Sequence, residues 1–217
     1  MELSESVVRD RAREYAASEP LYDVERQHVE TVPKTFVGDE YGRRDAQWIA
    51  RWYFRRYLGE YPDRVRRERE EEFRDNDFED VVDALDAAVA AVDVEDDADD
   101  GEEPGTADRD VDAALAALTE LDGVDVAVAS AFLQFLDPSR FVAVDPRTWR
   151  VLVAAEELDG PYPDPPSAAD YGRFDAACRA VMDATGVDAW TLYRALWRSR
   201  SNLPESGDRA VSSESDT

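Results

Sequence analysis

Apolar residues recur along most of this chain at the spacing of an α-helix. Residues 76–92 are the clearest case, because their apolar positions lie three or four apart and cover one face. Residues 45–58 are apolar around most of the circumference, which is typical of a helix buried in a core. Two Ala- and Leu-rich segments predict short helices over 111–121 and 126–136, and an extended run follows at 141–144. With about eight helices and no convincing sheet, the sequence predicts an all-α fold.

The organisation of the chain follows from where its apolar content stops. Its 217 residues suit one domain, with helical parts predicted over 1–92 and 111–199. Residues 93–110 are nearly devoid of apolar side chains and densely acidic, which predicts a disordered loop; an acidic binding segment is the alternative. Residues 200–217 are polar and predict a flexible tail. Residues 20–42 are predicted to be irregular because of four helix-breaking residues: Pro20, Pro33, Gly38 and Gly42.

The chain is strongly acidic, and this bears on its surface. There are 51 acidic residues against 25 Lys and Arg, giving a net charge of −26, and the one lysine is Lys34. Acidic residues spread over the whole chain are typical of a halophilic protein from a salt-loaded cytoplasm. We interpret the charge as a solvated surface, since net charge determines solubility and not fold. It does not exclude a nucleic-acid partner, because molar salt screens charges beyond about 3 Å.

Several classes of protein are excluded by residue counts. One cysteine, Cys178, excludes a disulfide framework, a cysteine zinc site and an iron–sulfur cluster, and one histidine, His28, excludes multi-histidine metal sites. No apolar run reaches the roughly 18 residues of a membrane helix, and the N-terminus does not resemble a signal peptide. We therefore expect a cytoplasmic monomer with no cofactor and no membrane partner.

The most informative motif lies in residues 118–152, LTELDGVDVAVASAFLQFLDPSRFVAVDPRTWRVL. It consists of a helix, a tight glycine turn, an apolar helix, an extended run that ends in Asp, and a helix with Trp and Arg in its first turns. This order and spacing resemble the helix-hairpin-helix signature of the base-excision DNA glycosylase superfamily. The residues that fall on the family pattern are Leu121, Gly123, Val124, Ala129, Val144 and Asp145.

The resemblance implies an all-α, helix-hairpin-helix DNA-glycosylase-like domain that binds double-stranded DNA. The hairpin turn of Gly123, Val124 and Asp125 would hold one phosphate, and the damaged nucleotide would be extruded into a pocket. Asp145 would lie beside its sugar, stabilise positive charge at the anomeric carbon and help to activate water. The resemblance thus implies hydrolysis of an N-glycosidic bond in base-excision repair.

Two positions depart from the family pattern, and a third position, which matches it, also has a purely structural interpretation. Asp125 replaces the second hairpin glycine, so its charge would lie near the bound phosphate. Ala127 stands where lyase members have their lysine, which implies a monofunctional enzyme. Asp145 before Pro146 is also a good helix N-cap by itself. A non-catalytic module that binds DNA or a protein is therefore the alternative function.

An arginine-rich segment gives an independent indication of nucleic acid. Residues 43–70 contain nine arginines against five acidic residues, a local balance of +4 in a strongly acidic chain. Arg51 and Arg55 share a helix face at spacing i, i+4, and guanidinium groups suit phosphate. The alternative is a lattice of intramolecular salt bridges with the many carboxylates.

Overall fold

The fold was analysed in a computed structural model that describes residues 1–37, 41–92 and 110–203. These ranges form ten α-helices, one short 3-10 helix and no strand, so the predicted all-α class is confirmed. In chain order the helices are α1 (Glu5–Ser18), α2 (Tyr22–Val37), α3 (Arg43–Arg55), α4 (Asp63–Asp75), α5 (Phe78–Val92), α6 (Val111–Thr119), α7 (Val126–Leu136), α8 (Pro146–Ala154), α9 (Ala168–Thr185) and α10 (Ala189–Ser199), with the 3-10 helix at Arg200–Asn202.

Helix α7 lies at the centre of the core. Every residue from Ala127 to Phe135 is buried, as expected of a helix that is apolar on all sides. Helices α2, α3, α6 and α9 all contact it. Two polar residues of α7 that lie one turn apart, Ser130 and Gln134, are buried in this core and accept hydrogen bonds from the backbone. The Val144 N–H donates to Ser130 Oγ at 2.9 Å and the Ala143 N–H donates to Gln134 Oε1 at 2.8 Å.

These two hydrogen bonds tie the extended run 141–144 to α7. All four residues of the run are buried, so the N–H groups of Ala143 and Val144 need partners within the protein. The structure confirms a short, buried and non-helical apolar piece between two helices. The run ends at Asp145, so α7 determines where the first turn of α8 begins.

The prediction that residues 20–42 are irregular is wrong, because residues 22–37 form α2. Pro33 lies inside this helix, where proline costs about 3 kcal/mol. Burial of Val32 and Phe36, each 2% exposed, offsets that cost through packing that the sequence pattern alone does not reveal. Gly38 lies outside the described residues.

The predicted acidic loop and the tail fall largely outside the described residues, which exclude 93–109 and 204–217. Asp110, the last residue of the predicted loop, caps α6 by accepting a hydrogen bond from the Ala113 N–H at 2.9 Å. Among the described helices, none has the length and apolar character needed to cross a membrane.

Candidate functional site

Asp145 caps the N-terminus of α8. Its Oδ1 accepts hydrogen bonds from the backbone N–H groups of Arg147 at 2.6 Å and Thr148 at 2.8 Å. In return, the Asp145 N–H donates to Thr148 Oγ1 at 3.2 Å. The residue is 0% exposed. The structural interpretation of Asp145 as an N-cap is therefore confirmed.

The second carboxylate oxygen of Asp145 faces a buried arginine that follows α3. Arg56 Nη2 lies 2.8 Å from Asp145 Oδ2, and both side chains are almost completely buried, at 1% and 0% exposure. The angle is not that of an aligned hydrogen bond, so the contact is a close ion pair. Burial is the largest single influence and lowers the pKa of Arg56, but the negative charge of Asp145 and the neighbouring tyrosines together outweigh it, so the pKa rises above its ordinary value. Asp145 is thus the counter-ion of Arg56.

Five aromatic rings surround the same guanidinium. Their centroids lie between 4.4 and 5.8 Å from Arg56 Cζ, within the range of cation–π contact. The rings come from two helices and the turn after α3: Trp52, Tyr53, Tyr57, Tyr193 and Trp197. Arg56 is therefore held between one carboxylate and several ring faces, away from solvent.

A cavity of about 300 Å³ opens beside this pair. It is bounded by the turn after α3 and by the N-terminal ends of α7 and α8, to which Ala127 and Pro146 belong. Its volume lies at the lower end of the range for ligand pockets. Asp145 does not line the cavity, although the next residue in the chain does. The aromatic side chains of its wall are Tyr53, Phe54, Tyr57, Tyr61 and Tyr162.

Burial affects the tyrosine hydroxyls of this wall. It is the main cause that raises the pKa of both Tyr57 and Tyr162, and the charge of Asp145 raises both further. The two hydroxyls therefore stay protonated at neutral pH. They can donate hydrogen bonds to a bound molecule.

Charged side chains of both signs surround the cavity mouth. Arg147 lies with its guanidinium over the rings of Tyr57 and Trp197, at 4.7 and 4.4 Å from their centroids. Its Nη2 is 2.6 Å from Glu60 Oε2, and Arg200 Nη1 is 3.4 Å from the same oxygen. The cavity mouth is therefore a place where arginines already hold an anion.

The predicted DNA-binding hairpin packs against α4. Gly123 has φ +79°, and a Cβ atom there would lie 2.7 Å from the carbonyl oxygen of Arg69 and 2.8 Å from the nitrogen of Phe73. The side chain of Asn76 accepts from the Asp122 N–H at 2.9 Å and donates to the Asp122 carbonyl at 3.0 Å. The glycine is thus explained by close packing of two backbones.

The other two residues of the hairpin also have partners within the chain. Asp125 Oδ1 accepts a hydrogen bond from the Val128 N–H at 2.9 Å, so this carboxylate caps α7 where a phosphate would have to bind. Val124 is 6% exposed and belongs to the core. A phosphate at this hairpin would have to displace the side chain of Asp125.

Part of the arginine-rich segment forms a lattice of salt bridges. Arg55, predicted to contact DNA, makes two hydrogen bonds to Glu70 at 2.9 and 2.8 Å. Arg66 joins Asp63 and Glu70, each at 3.0 Å. Arg51 is half-buried on α3 and makes no ion pair with any residue that the structure describes. The structure thus brings neither Arg51 nor Arg55 to the cavity wall.

Sequence reasoning missed the residue at the centre of this arrangement. From the sequence, Arg56 is only one of the nine arginines of residues 43–70, although it follows a helix that is apolar on nearly all sides. That position between Trp52, Tyr53 and Tyr57 was the available signal. Over the described ranges, no group of three His, Cys, Asp or Glu side chains is placed to hold a metal ion. Comparison with protein-family models, curated proteins and solved structures finds no match for this chain.

Proposed function

We propose that this protein binds double-stranded DNA as a helix-hairpin-helix glycosylase-like module and takes an extruded nucleotide into the cavity. The observation that carries the proposal is the aromatic wall at the N-terminal ends of α7 and α8. These ends belong to the motif that resembles the glycosylase signature. In that family the same elements flank the pocket for the extruded base.

The wall suits a nucleobase by its chemistry. Aromatic side chains stack on bases of any sequence, and each stacking contact is worth about 1–3 kcal/mol. Extruding a base costs a few kcal/mol, and the cost is lowest where the base is damaged or mispaired. A cavity with several such rings therefore favours damaged sites over intact duplex.

The geometry supports binding more than hydrolysis. One oxygen of Asp145 caps α8 and the other pairs with Arg56, so neither faces the cavity. Hydrolysis of the N-glycosidic bond is the second candidate, because Asp145 directly precedes the cavity-lining Pro146. It requires Arg56 to release Asp145 when DNA binds.

The test is a panel of duplexes, each with one damaged base, incubated with the protein in molar KCl. Fluorescence anisotropy measures binding, and chromatography measures release of the base. We expect tighter binding to at least one damaged duplex than to the intact one, without base release. Failure to bind any duplex would contradict the proposal.

Two variants locate the site and its chemistry. Tyr61→Ala removes a ring from the wall and should weaken binding about 5- to 100-fold, while Tyr22→Ala, a half-buried tyrosine on α2, should leave it unchanged. Asp145→Asn separates the two candidates. If the wild type releases a base and the variant only binds, the enzyme is supported.

A further inference from the structure

We propose that the mouth of the cavity is a binding site for a terminal phosphate of a nucleotide, and that Glu60 occupies this site in the free protein. This inference rests on the proposed function, because it assumes that a base enters the cavity. It adds the group that recognises the rest of the nucleotide. The ligand class is a nucleotide with an accessible phosphate, either free or at the end of a strand.

Arg147 is the fixed element of the site. Its guanidinium is stacked on Tyr57 and Trp197, and its side chain is only 11% exposed. A guanidinium held in one orientation loses little freedom when it binds, and its forked donors match the oxygens of a phosphate. Arg200 converges on the same point, and Arg150 also lines the cavity.

Glu60 is the replaceable element. Its side chain is 61% exposed, yet it accepts from Arg147 at 2.6 Å and lies 3.4 Å from Arg200. It follows a turn in which Leu58 and Gly59 both have positive φ, at 51° and 92°. An exposed carboxylate gains little from such a pair, since water solvates it almost as well. A phosphate dianion can therefore displace it.

The charges that line the cavity favour replacement of the Glu60 carboxylate by a phosphate. Three arginines and three carboxylates line the cavity: Arg147, Arg150, Arg200, Glu60, Asp125 and Asp164. When Glu60 turns to solvent, the lining becomes net positive. The Glu60 carboxylate therefore competes directly with any phosphate.

The experiment compares deoxyadenosine with its 5′-monophosphate, and a short single strand with and without a 5′-phosphate, by calorimetric titration in molar KCl. We expect the phosphate to improve affinity about tenfold in at least one of the two pairs. The pair that responds distinguishes a free nucleotide from a strand end. Glu60→Gln should tighten binding of the phosphorylated ligand several-fold and leave the unphosphorylated ligand unchanged.

Arginine variants complete the test. Arg147→Ala and the exposed Arg150→Ala should each reduce the preference for phosphate, and Arg26→Ala, in an exposed pair with Glu30, is the matched control. Circular dichroism checks that each variant is folded. If Glu60→Gln does not tighten binding and Arg150→Ala keeps the full preference, the inference is wrong. If the protein binds a damaged duplex but shows no preference for phosphate in either pair, the inference alone is overturned; if it also binds no duplex of the panel, the proposed function is overturned as well.

Discussion

Asp145→Asn is the substitution that tests the structural role of the buried ion pair. Asparagine is about as good an N-cap as aspartate, so the hydrogen bonds to the first turn of α8 are largely kept. The negative charge is lost. Arg56 remains 1% exposed and its ordinary counter-ion is gone.

The expected cost follows from that isolation. Removing one partner of a buried pair costs about 3–5 kcal/mol, because the remaining charge is neither solvated nor compensated. A domain of this size has a total stability of about 5–15 kcal/mol. The midpoint of thermal unfolding should fall by about 6–20 °C, at about 2–4 °C per kcal/mol.

Urea unfolding in molar KCl, followed by circular dichroism, measures this cost. The matched control is Asp188→Asn at the exposed N-cap of α10, which accepts from the Thr191 N–H at 2.7 Å and should cost less than about 0.5 kcal/mol. Arg56→Met in the Asp145→Asn background should restore part of the stability, since it removes the orphaned charge. Equal costs for the two asparagine variants, or a double variant less stable than Asp145→Asn alone, would refute the reasoning.

Three further predictions concern the hairpin, a buried carboxyl and the missing amine. Gly123→Ala should cost about 3 kcal/mol or more, because its Cβ would meet the backbone of α4, whereas Gly186→Ala, with φ +62° and open space around it, should cost about 1 kcal/mol; equal losses of unfolding free energy would argue against the close approach. Burial raises the pKa of Glu25 above its ordinary value of 4.5, so the folded state binds this proton more tightly and the free energy of unfolding falls as pH rises through the window above 4.5. Glu25→Gln should remove that slope, and urea titrations from pH 4 to 8 that show a constant difference between the two proteins would contradict it. Ala127 lines the cavity and offers no amine, so borohydride should trap no covalent adduct with abasic duplex, while Ala127→Lys should allow trapping; adducts of the wild type that persist in Lys34→Ala would place the chemistry elsewhere.

The sequence by itself determined the local features of this protein. Patterns that span only a few residues predict four of these features, and the structure confirms them. They are the helices over 76–92 and 126–136, the turn at Gly123 and the N-cap at Asp145. Such features depend on neighbouring backbone and on near residues in the chain. A sequence pattern contains that information directly.

Only the tertiary structure determined that α2 continues through Pro33, and which arginines are buried and with which carboxylates they pair. Pro33 argues locally against a helix, and only the burial of Val32 and Phe36 against the rest of the core overrides it. Arg55 and Arg56 are adjacent in sequence, yet one pairs with exposed α4 and the other with buried Asp145.

The cavity likewise depends on distant parts of the chain. It joins the turn after α3 to the first residues of α7 and α8 and to Tyr162. Its position follows from the hydrogen bonds between α7 and the run 141–144, which fix where α8 begins, and from the ion pair of Asp145 with Arg56 after α3. Burial and ion pairing depend on which distant surfaces meet, and that is determined by packing of the whole core rather than by any local pattern.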